Sequence, residues 1–113
     1  PYVDSSGAIE IGKNLDFHGT NGSEDNHDAR IQWTGSALSC DTHFIPDGSK
    51  NLGSTDDRWN NLYVNDLQLS NNPDNPNSVD GTWGDWTLQE GESDIFMINN
   101  RLGKKYKIAM IPV

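Results

Sequence analysis

The fold is decided by residues 85–111, which read DWTLQEGESDIFMINNRLGKKYKIAMI. Three segments rich in strand-forming side chains, Trp86–Glu90, Asp94–Asn99 and Tyr106–Ile111, are separated by short runs of turn-forming residues. This spacing predicts three strands of an antiparallel β-meander. The middle segment is apolar on both faces, so we predict that it is the central strand and is covered on both sides.

Such a sheet needs a cover, because about three strands with both faces in water are not stable alone. The composition of the whole chain agrees with this need. Only 33% of its residues are apolar, yet it has four Trp, three Tyr and three Phe, and disordered chains are poor in aromatic residues. We therefore expect other copies of the chain to complete its core, as in obligate oligomers.

Upstream of this sheet, frequent Gly, Asn, Asp, Ser and Pro residues leave room for short strands only. A single helical turn is predicted over residues 54–62, followed by a strand at 62–69. Shorter strands are predicted earlier in the chain, at Ala8–Leu15 continuing to His18, at Ala29–Trp33 and at Ala37–Ile45. The predicted organisation is an N-terminal β region at 1–53, a short turn plus strand at 54–70, a Pro/Asn linker at 71–82 and a C-terminal β region at 83–113.

The net charge of −9 at pH 7 limits the partners of this chain. Nucleic acid and anionic membrane surfaces both require clustered Lys and Arg, so neither is expected to bind. The sequence contains neither an apolar run long enough for membrane insertion nor a signal peptide. Cys40 is the only cysteine, which excludes an intrachain disulfide. Because the chain begins at Pro1 without Met, we expect it to be part of a longer protein.

Catalytic and metal-binding motifs are missing from the sequence. We find no nucleophile elbow, no metal-binding helix and no Gly-rich phosphate loop. The acidic run with Glu24, Asp25, His27 and Asp28 does not match a calcium loop. His18, His27 and His43 lack zinc-ligand spacing. We therefore predict that the chain is not an enzyme and takes no metal or other cofactor. The alternative for a metal is a site formed by one His from each copy on the symmetry axis of an oligomer.

Two clusters in the C-terminal region are candidate receptor contacts. Trp83 and Trp86 flank Gly84 and Asp85, so the indoles could stack on a sugar whose hydroxyl donates to Asp85. The alternative is that both indoles cover the core or an oligomer seam, where Trp commonly packs.

The second cluster lies at a predicted hairpin tip, where Asn99, Asn100 and Arg101 would meet phosphates or acidic sugars. Lys104 and Lys105 follow directly. The alternative for this cluster is an ordinary solvated turn. The six candidate receptor contacts are therefore Trp83, Asp85, Trp86, Asn99, Asn100 and Arg101.

Two longer blocks carry a family resemblance. Residues 52–71, LGSTDDRWNNLYVNDLQLSN, resemble a block found near the C-termini of bacteriophage tail fibres and tail spikes, commonly just before a self-cleaving intramolecular chaperone. Residues 85–107, DWTLQEGESDIFMINNRLGKKYK, resemble the ending of phage tail-fibre proteins. Residues 12–18 and 28–31 are similar to fibre-shaft sequence. No long helical chaperone region follows the first block in this sequence, so we expect either that the chaperone is cleaved off or that this fibre ends differently.

This resemblance implies a short-stranded, interlocked homotrimeric fibre module in the distal tail of a virion, attached to other phage tail proteins. It implies that residues 1–53 are shaft-like, that residues 54–70 are a trimerising neck and that residues 83–113 are the fibre tip. It also implies a seam near the three-fold axis formed by Trp59, Leu62, Tyr63, Val64, Leu67 and Leu69. The implied function is attachment to a host surface glycan or lipopolysaccharide. A purely structural trimerisation segment is the alternative, and a fragment of a polysaccharide depolymerase spike has the least support.

Overall fold

A computed structural model describes residues 2–19 and 27–113, and these residues form an all-β fold without a helix. The predicted all-β class is therefore confirmed. Its nine strands are β1 (Tyr2–Val3), β2 (Ile9–Glu10), β3 (Asn14–Phe17), β4 (Ala29–Trp33), β5 (Leu38–Cys40), β6 (Asp66–Ser70), β7 (Asp85–Glu90), β8 (Ile95–Asn99) and β9 (Lys104–Lys107). They belong to two compact units, Pro1–Ser54 and Thr55–Val113.

The helical turn predicted over residues 54–62 is wrong, since this segment is irregular. The free-energy cost of nucleating a helix is recovered only when several further turns follow. Here Asn60 and Asn61, both weak helix formers, come after the possible first turn. The strand predicted at 62–69 begins only at Asp66.

In the first unit, β1 pairs with β2, and β3, β4 and β5 form a three-stranded antiparallel sheet. The strand predicted at Ala37–Ile45 stops at Cys40. Asp41 explains this end, because its Oδ1 accepts the backbone N–H of Arg30 at 2.8 Å, although the Asp41 N–H still donates to the Arg30 carbonyl. The side chain thus takes the place of a main-chain acceptor and ends the ladder.

The second unit is one antiparallel sheet of four strands in the order β6-β7-β8-β9. The last strand was predicted at Tyr106–Ile111 but spans Lys104–Lys107. Its end follows from the pairing with β8, because the Ile108 N–H donates to the carbonyl of Ile95, where β8 begins. Residues beyond Ile108 therefore have no strand of this sheet opposite them.

The register divides this sheet into two faces of different chemistry, since cross-strand partners lie on the same side. Leu69 pairs with Trp86, Leu88 with Met97, and Met97 with Tyr106. We call the apolar side chains on this side the apolar face: Leu67, Leu69, Trp86, Leu88, Ile95, Met97 and Tyr106. Glu90, Asn99 and Lys104 lie on the same side at strand ends. The opposite side, the polar face, carries Asp66, Gln68, Thr87, Gln89, Lys105 and Lys107 together with Phe96 and Ile98.

The register also bears on the prediction for the central strand. Because Ile95 and Met97 lie on one face and Phe96 and Ile98 on the other, β8 is apolar on both faces. It is an inner strand, paired with β7 and β9. Its side chains are only half-buried, so neither face is fully covered by the rest of the chain.

No apolar side chain is buried anywhere in residues 3–19 and 27–113. In this part of the chain only Thr87 is buried, with 6% of its surface exposed. On the apolar face Leu67 is 38% exposed and Leu69 is 48% exposed. A folded chain of this size normally buries a continuous apolar core. The apolar face is therefore left without a cover in the single chain.

Candidate functional site

A cleft of about 690 Å³ lies where β6 ends, β7 begins and β8 ends. This volume is in the range of small-molecule sites. The strands contribute Leu69, Ser70, Trp86 and Asn99 to its wall. The loop between β6 and β7 contributes Asn71, Asn77, Asp80, Thr82, Trp83 and Gly84, and the β8–β9 turn contributes Arg101 and Leu102.

Asn77 organises the loop side of the cleft. Its Oδ1 accepts the backbone N–H groups of Val79 at 2.9 Å and Asp80 at 3.0 Å. Its Nδ2 donates to Asp80 Oδ1 at 2.8 Å and to the carbonyl of Thr82 at 2.7 Å. Short amide side chains commonly stabilise turns in this way. A segment rich in Pro and Asn thus acquires a defined shape.

Asp80 is held as a carboxylate in this loop. The backbone N–H of Thr82 donates to its Oδ1 at 3.0 Å and the Thr82 hydroxyl at 2.8 Å. These hydrogen bonds, with that from Asn77, lower the pKa of the Asp80 carboxyl. The cleft therefore contains one fixed negative charge.

Arg101 crosses from the β8–β9 turn to the loop and supplies the positive charge of the cleft. Its guanidinium carbon lies 3.8 Å from the ring centroid of Trp83, in a cation–π contact. Its Nη1 also donates a hydrogen bond of 2.8 Å to the Trp83 carbonyl. The two contacts fix the guanidinium over the indole and leave its remaining N–H groups for other acceptors.

Trp86 forms the floor of the cleft at the end of the apolar face. Its ring centroid lies 5.8 Å from that of Tyr106, with the planes tilted by 37°. A Cβ on Gly84 would lie 3.1 Å from both Cδ1 and Nε1 of this indole. Glycine at this position therefore allows the loop to approach the pyrrole edge of Trp86.

The structure brings four of the six predicted receptor contacts together in the cleft, namely Trp83, Trp86, Asn99 and Arg101. Asp85 and Asn100 do not line it. Instead the Asn100 Nδ2 donates to Asp85 Oδ1 at 3.1 Å and to Thr87 Oγ1 at 2.9 Å. Sequence reasoning missed Asn77, Asp80 and Thr82, which all lie in the segment predicted as linker, although Asn and Asp residues close together are a recognisable turn signal.

The six predicted seam residues divide into two groups. Leu67 and Leu69 lie on β6, on the apolar face. Trp59, Leu62, Tyr63 and Val64 lie in the irregular segment before it. All six are exposed in the single chain, from 38% for Leu67 to 91% for Tyr63.

A second polar cluster lies in the three-stranded sheet of the first unit. Arg30 donates to both carboxylate oxygens of Asp16, from Nε at 2.6 Å and from Nη2 at 2.8 Å. His27 Nε2 lies 2.9 Å from Asp41 Oδ2. The Arg30 side chain lowers the pKa of Asp16, and the Arg30 backbone N–H, followed by His27, lowers that of Asp41. The Arg30–Asp16 ion pair joins β4 to β3, and the His27–Asp41 contact joins the residues that precede β4 and follow β5.

The described part of the chain has no group of three or more His, Cys, Asp or Glu side chains placed to hold a metal ion. Asp28 accepts the backbone N–H of Gly19. Glu24 and Asp25, which belong to the acidic run considered as a cation site, lie outside the described residues.

Within residues 2–19 and 27–113, no helix is long and apolar enough to cross a lipid bilayer. No family model matches this sequence, and no curated protein and no solved structure matches it either.

Proposed function

We propose that this chain is the trimerising, receptor-binding part of a bacteriophage tail fibre and attaches the virion to a host surface glycan. The observation that carries the proposal is the uncovered apolar face, in a chain whose described residues bury no apolar side chain. Burying most of this face against other copies, apart from the cleft end that carries Trp86, provides the driving force that the single chain lacks.

The two sequence blocks support the same proposal independently of the exposed apolar face. Residues 52–71 and 85–107 resemble tail-fibre C-termini, whose chains are homotrimers. The end of the first block is β6 and the second block covers β7, β8 and β9. The resemblance therefore falls on the strands that build the apolar face.

Trimer formation would raise the overall affinity of the clefts for a surface glycan. One shallow cleft that binds a sugar with a Kd of about 1 mM contributes only about −4 kcal/mol. Three linked clefts on one fibre tip raise the overall affinity through effective concentration, without new contacts. A weak cleft with two indoles, amides and an arginine is adequate in such an assembly.

The first test is the mass of the chain in dilute neutral buffer, measured by light scattering. We expect three times the chain mass of 12.5 kDa. A folded monomer would overturn the proposal.

The second test is binding. The trimer is passed over immobilised host-envelope polysaccharide, with Trp83→Ala as the cleft variant and Lys107→Ala on the polar face as control. If Trp83→Ala binds the polysaccharide as well as the unaltered chain does, the cleft is not the attachment site. A trimer that binds no envelope component would indicate a purely structural segment.

A further inference from the structure

We propose that the cleft binds a pyranose that carries a carboxylate group, such as a uronic acid residue of a surface polysaccharide. The inference rests on the proposed attachment function and names the chemical class of its ligand. It follows from the hydrogen-bonding groups that the cleft leaves without partners.

The unused groups are mainly donors. Within the described residues, the guanidinium of Arg101 makes one hydrogen bond, from Nη1, so its other N–H groups have no acceptor. Asn99 uses its Oδ1 to accept the Leu102 N–H at 3.2 Å, and its Nδ2 makes no hydrogen bond there. A wall with surplus donors suits a ligand with surplus acceptors.

The acceptor is best supplied by a carboxylate. Stacking on Trp83 holds the guanidinium plane in place, and a planar guanidinium edge matches a carboxylate through two parallel hydrogen bonds. Lys104, the cross-strand partner of Asn99, adds a second cation beside the cleft. The indoles of Trp83 and Trp86 offer apolar surface for the C–H groups of a sugar ring.

The single negative charge of the cleft fits a sugar but not a phosphate. Asp80 Oδ1 is fully engaged by its loop, whereas its Oδ2 accepts no hydrogen bond from the described residues. This oxygen is available to a sugar hydroxyl. A phosphate monoester carries about −1.5 to −2 charges at pH 7, and Asp80 together with the net charge of −9 would oppose it more strongly than a carboxylate.

The test uses three sugars that differ only at carbon 6: glucuronate, glucose and glucose 6-phosphate. Each is titrated into the ¹⁵N-labelled full chain while the indole N–H signals of Trp83 and Trp86 are followed. We expect glucuronate to shift both signals saturably, with a Kd at least about tenfold lower than that of either other sugar.

Asn99→Asp provides a variant that keeps the turn. Its carboxylate can still accept the Leu102 N–H but replaces the amide donor with a negative charge, so the Kd for glucuronate should rise at least about tenfold. Asn72→Asp is the matched control, because Asn72 Oδ1 likewise accepts a backbone N–H, that of Asp74 at 3.0 Å, and Asn72 does not line the cleft.

The outcomes separate this inference from the proposed function. A trimer in which none of the three sugars shifts the two indole signals would overturn the ligand class and leave the fibre proposal standing. Equal binding of glucose, or tighter binding of glucose 6-phosphate, would also overturn it. A monomer that binds glucuronate would support the cleft and overturn the trimer.

Discussion

Arg101 and Trp83 are joined twice, by a guanidinium carbon 3.8 Å from the indole centroid and by a hydrogen bond of 2.8 Å to the Trp83 carbonyl. They lie 18 positions apart in the sequence. The contact therefore ties the β8–β9 turn to the loop that precedes β7. It closes one side of the cleft and places an aromatic surface and a cation in its wall.

Replacing Arg101 by Lys keeps the charge but removes the planar stack and the fork of donors. We expect the free energy of unfolding to fall by about 1 kcal/mol, the size of an exposed cation–π contact together with part of a hydrogen bond. Urea unfolding followed by tryptophan fluorescence measures this change. Lys105→Ala, on the polar face, is the control and should change stability by less than about 0.5 kcal/mol. Equal stability of Arg101→Lys and the unaltered chain would show that the contact is not stabilising.

Thr87 is the buried residue of the polar face, and its hydroxyl joins two side chains. Thr87 Oγ1 donates to Gln68 Oε1 at 2.8 Å and accepts from Asn100 Nδ2 at 2.9 Å. Thr87→Val keeps the shape but leaves Gln68 Oε1 without its donor and removes one of the two hydrogen bonds of Asn100 Nδ2, whose bond to Asp85 remains. We therefore expect a loss of about 1–3 kcal/mol. Thr87→Ser keeps the hydroxyl and should lose less. Urea unfolding measures both variants, and we expect a lower midpoint for Thr87→Val than for Thr87→Ser. A lower midpoint for Thr87→Ser would contradict this role for the hydroxyl.

The apolar face can be tested against the polar face on the same strand. Leu88→Thr and Gln89→Thr place the same residue on opposite sides of β7. If the apolar face is the trimer interface, Leu88→Thr should weaken assembly by roughly 1.5–3 kcal/mol per copy, the value of burying a leucine. Light scattering over a dilution series should then show dissociation of Leu88→Thr but not of Gln89→Thr. Dissociation of Gln89→Thr alone would assign the interface to the other face.

The first unit should lose stability in acid. The pKa of Asp16 and that of Asp41 are both lower in the folded chain than the ordinary value of 3.8. A carboxyl with a lowered folded pKa stabilises the fold above its unfolded pKa, and this contribution is lost as the pH falls through the folded value. We therefore expect the stability of this unit to change little through these carboxyls above about pH 5 and to decline below about pH 4.

The indole N–H signal of Trp33 reports on this unit, because Trp33 lies on β4. The intensity of this signal is followed on heating at several pH values between pH 6 and pH 3, for the unaltered chain and for Asp16→Asn. The temperature at which the signal disappears measures the stability of the unit. The variant, which cannot titrate at this position, should show a smaller decline. An equal decline in both proteins would assign the acid sensitivity to other groups.

Several features of the fold were predictable from local sequence. The alternation and turn residues of 85–107 led to the three strands that became β7, β8 and β9, and Ala29–Trp33 was predicted with its observed bounds. The opposite orientation of Leu67 and Gln68 also follows from the period of a strand. These features depend on neighbours within one strand or one hairpin, which a sequence displays directly.

The bounds of other strands depended on partners that a local pattern does not show. The strand predicted to reach Ile111 ends at Lys107, because β8 offers nothing opposite it beyond Ile95. The strand predicted to reach Ile45 ends at Cys40, where the Asp41 side chain replaces the ladder. In each case a long-range pairing outweighed the propensity of the segment.

The sequence by itself determined the all-β class, the hairpin segments of the second unit and the presence of Trp83, Trp86, Asn99 and Arg101 as candidate contacts. Only the tertiary structure decided that these four side chains share a cleft with Asp80 while Asp85 turns to Asn100. It also joined β6, predicted as part of a separate neck, to the sheet of β7. The physical reason is that strand pairing and side-chain hydrogen bonds join residues distant in the chain, and the free energy of those contacts depends on geometry that composition and spacing do not contain.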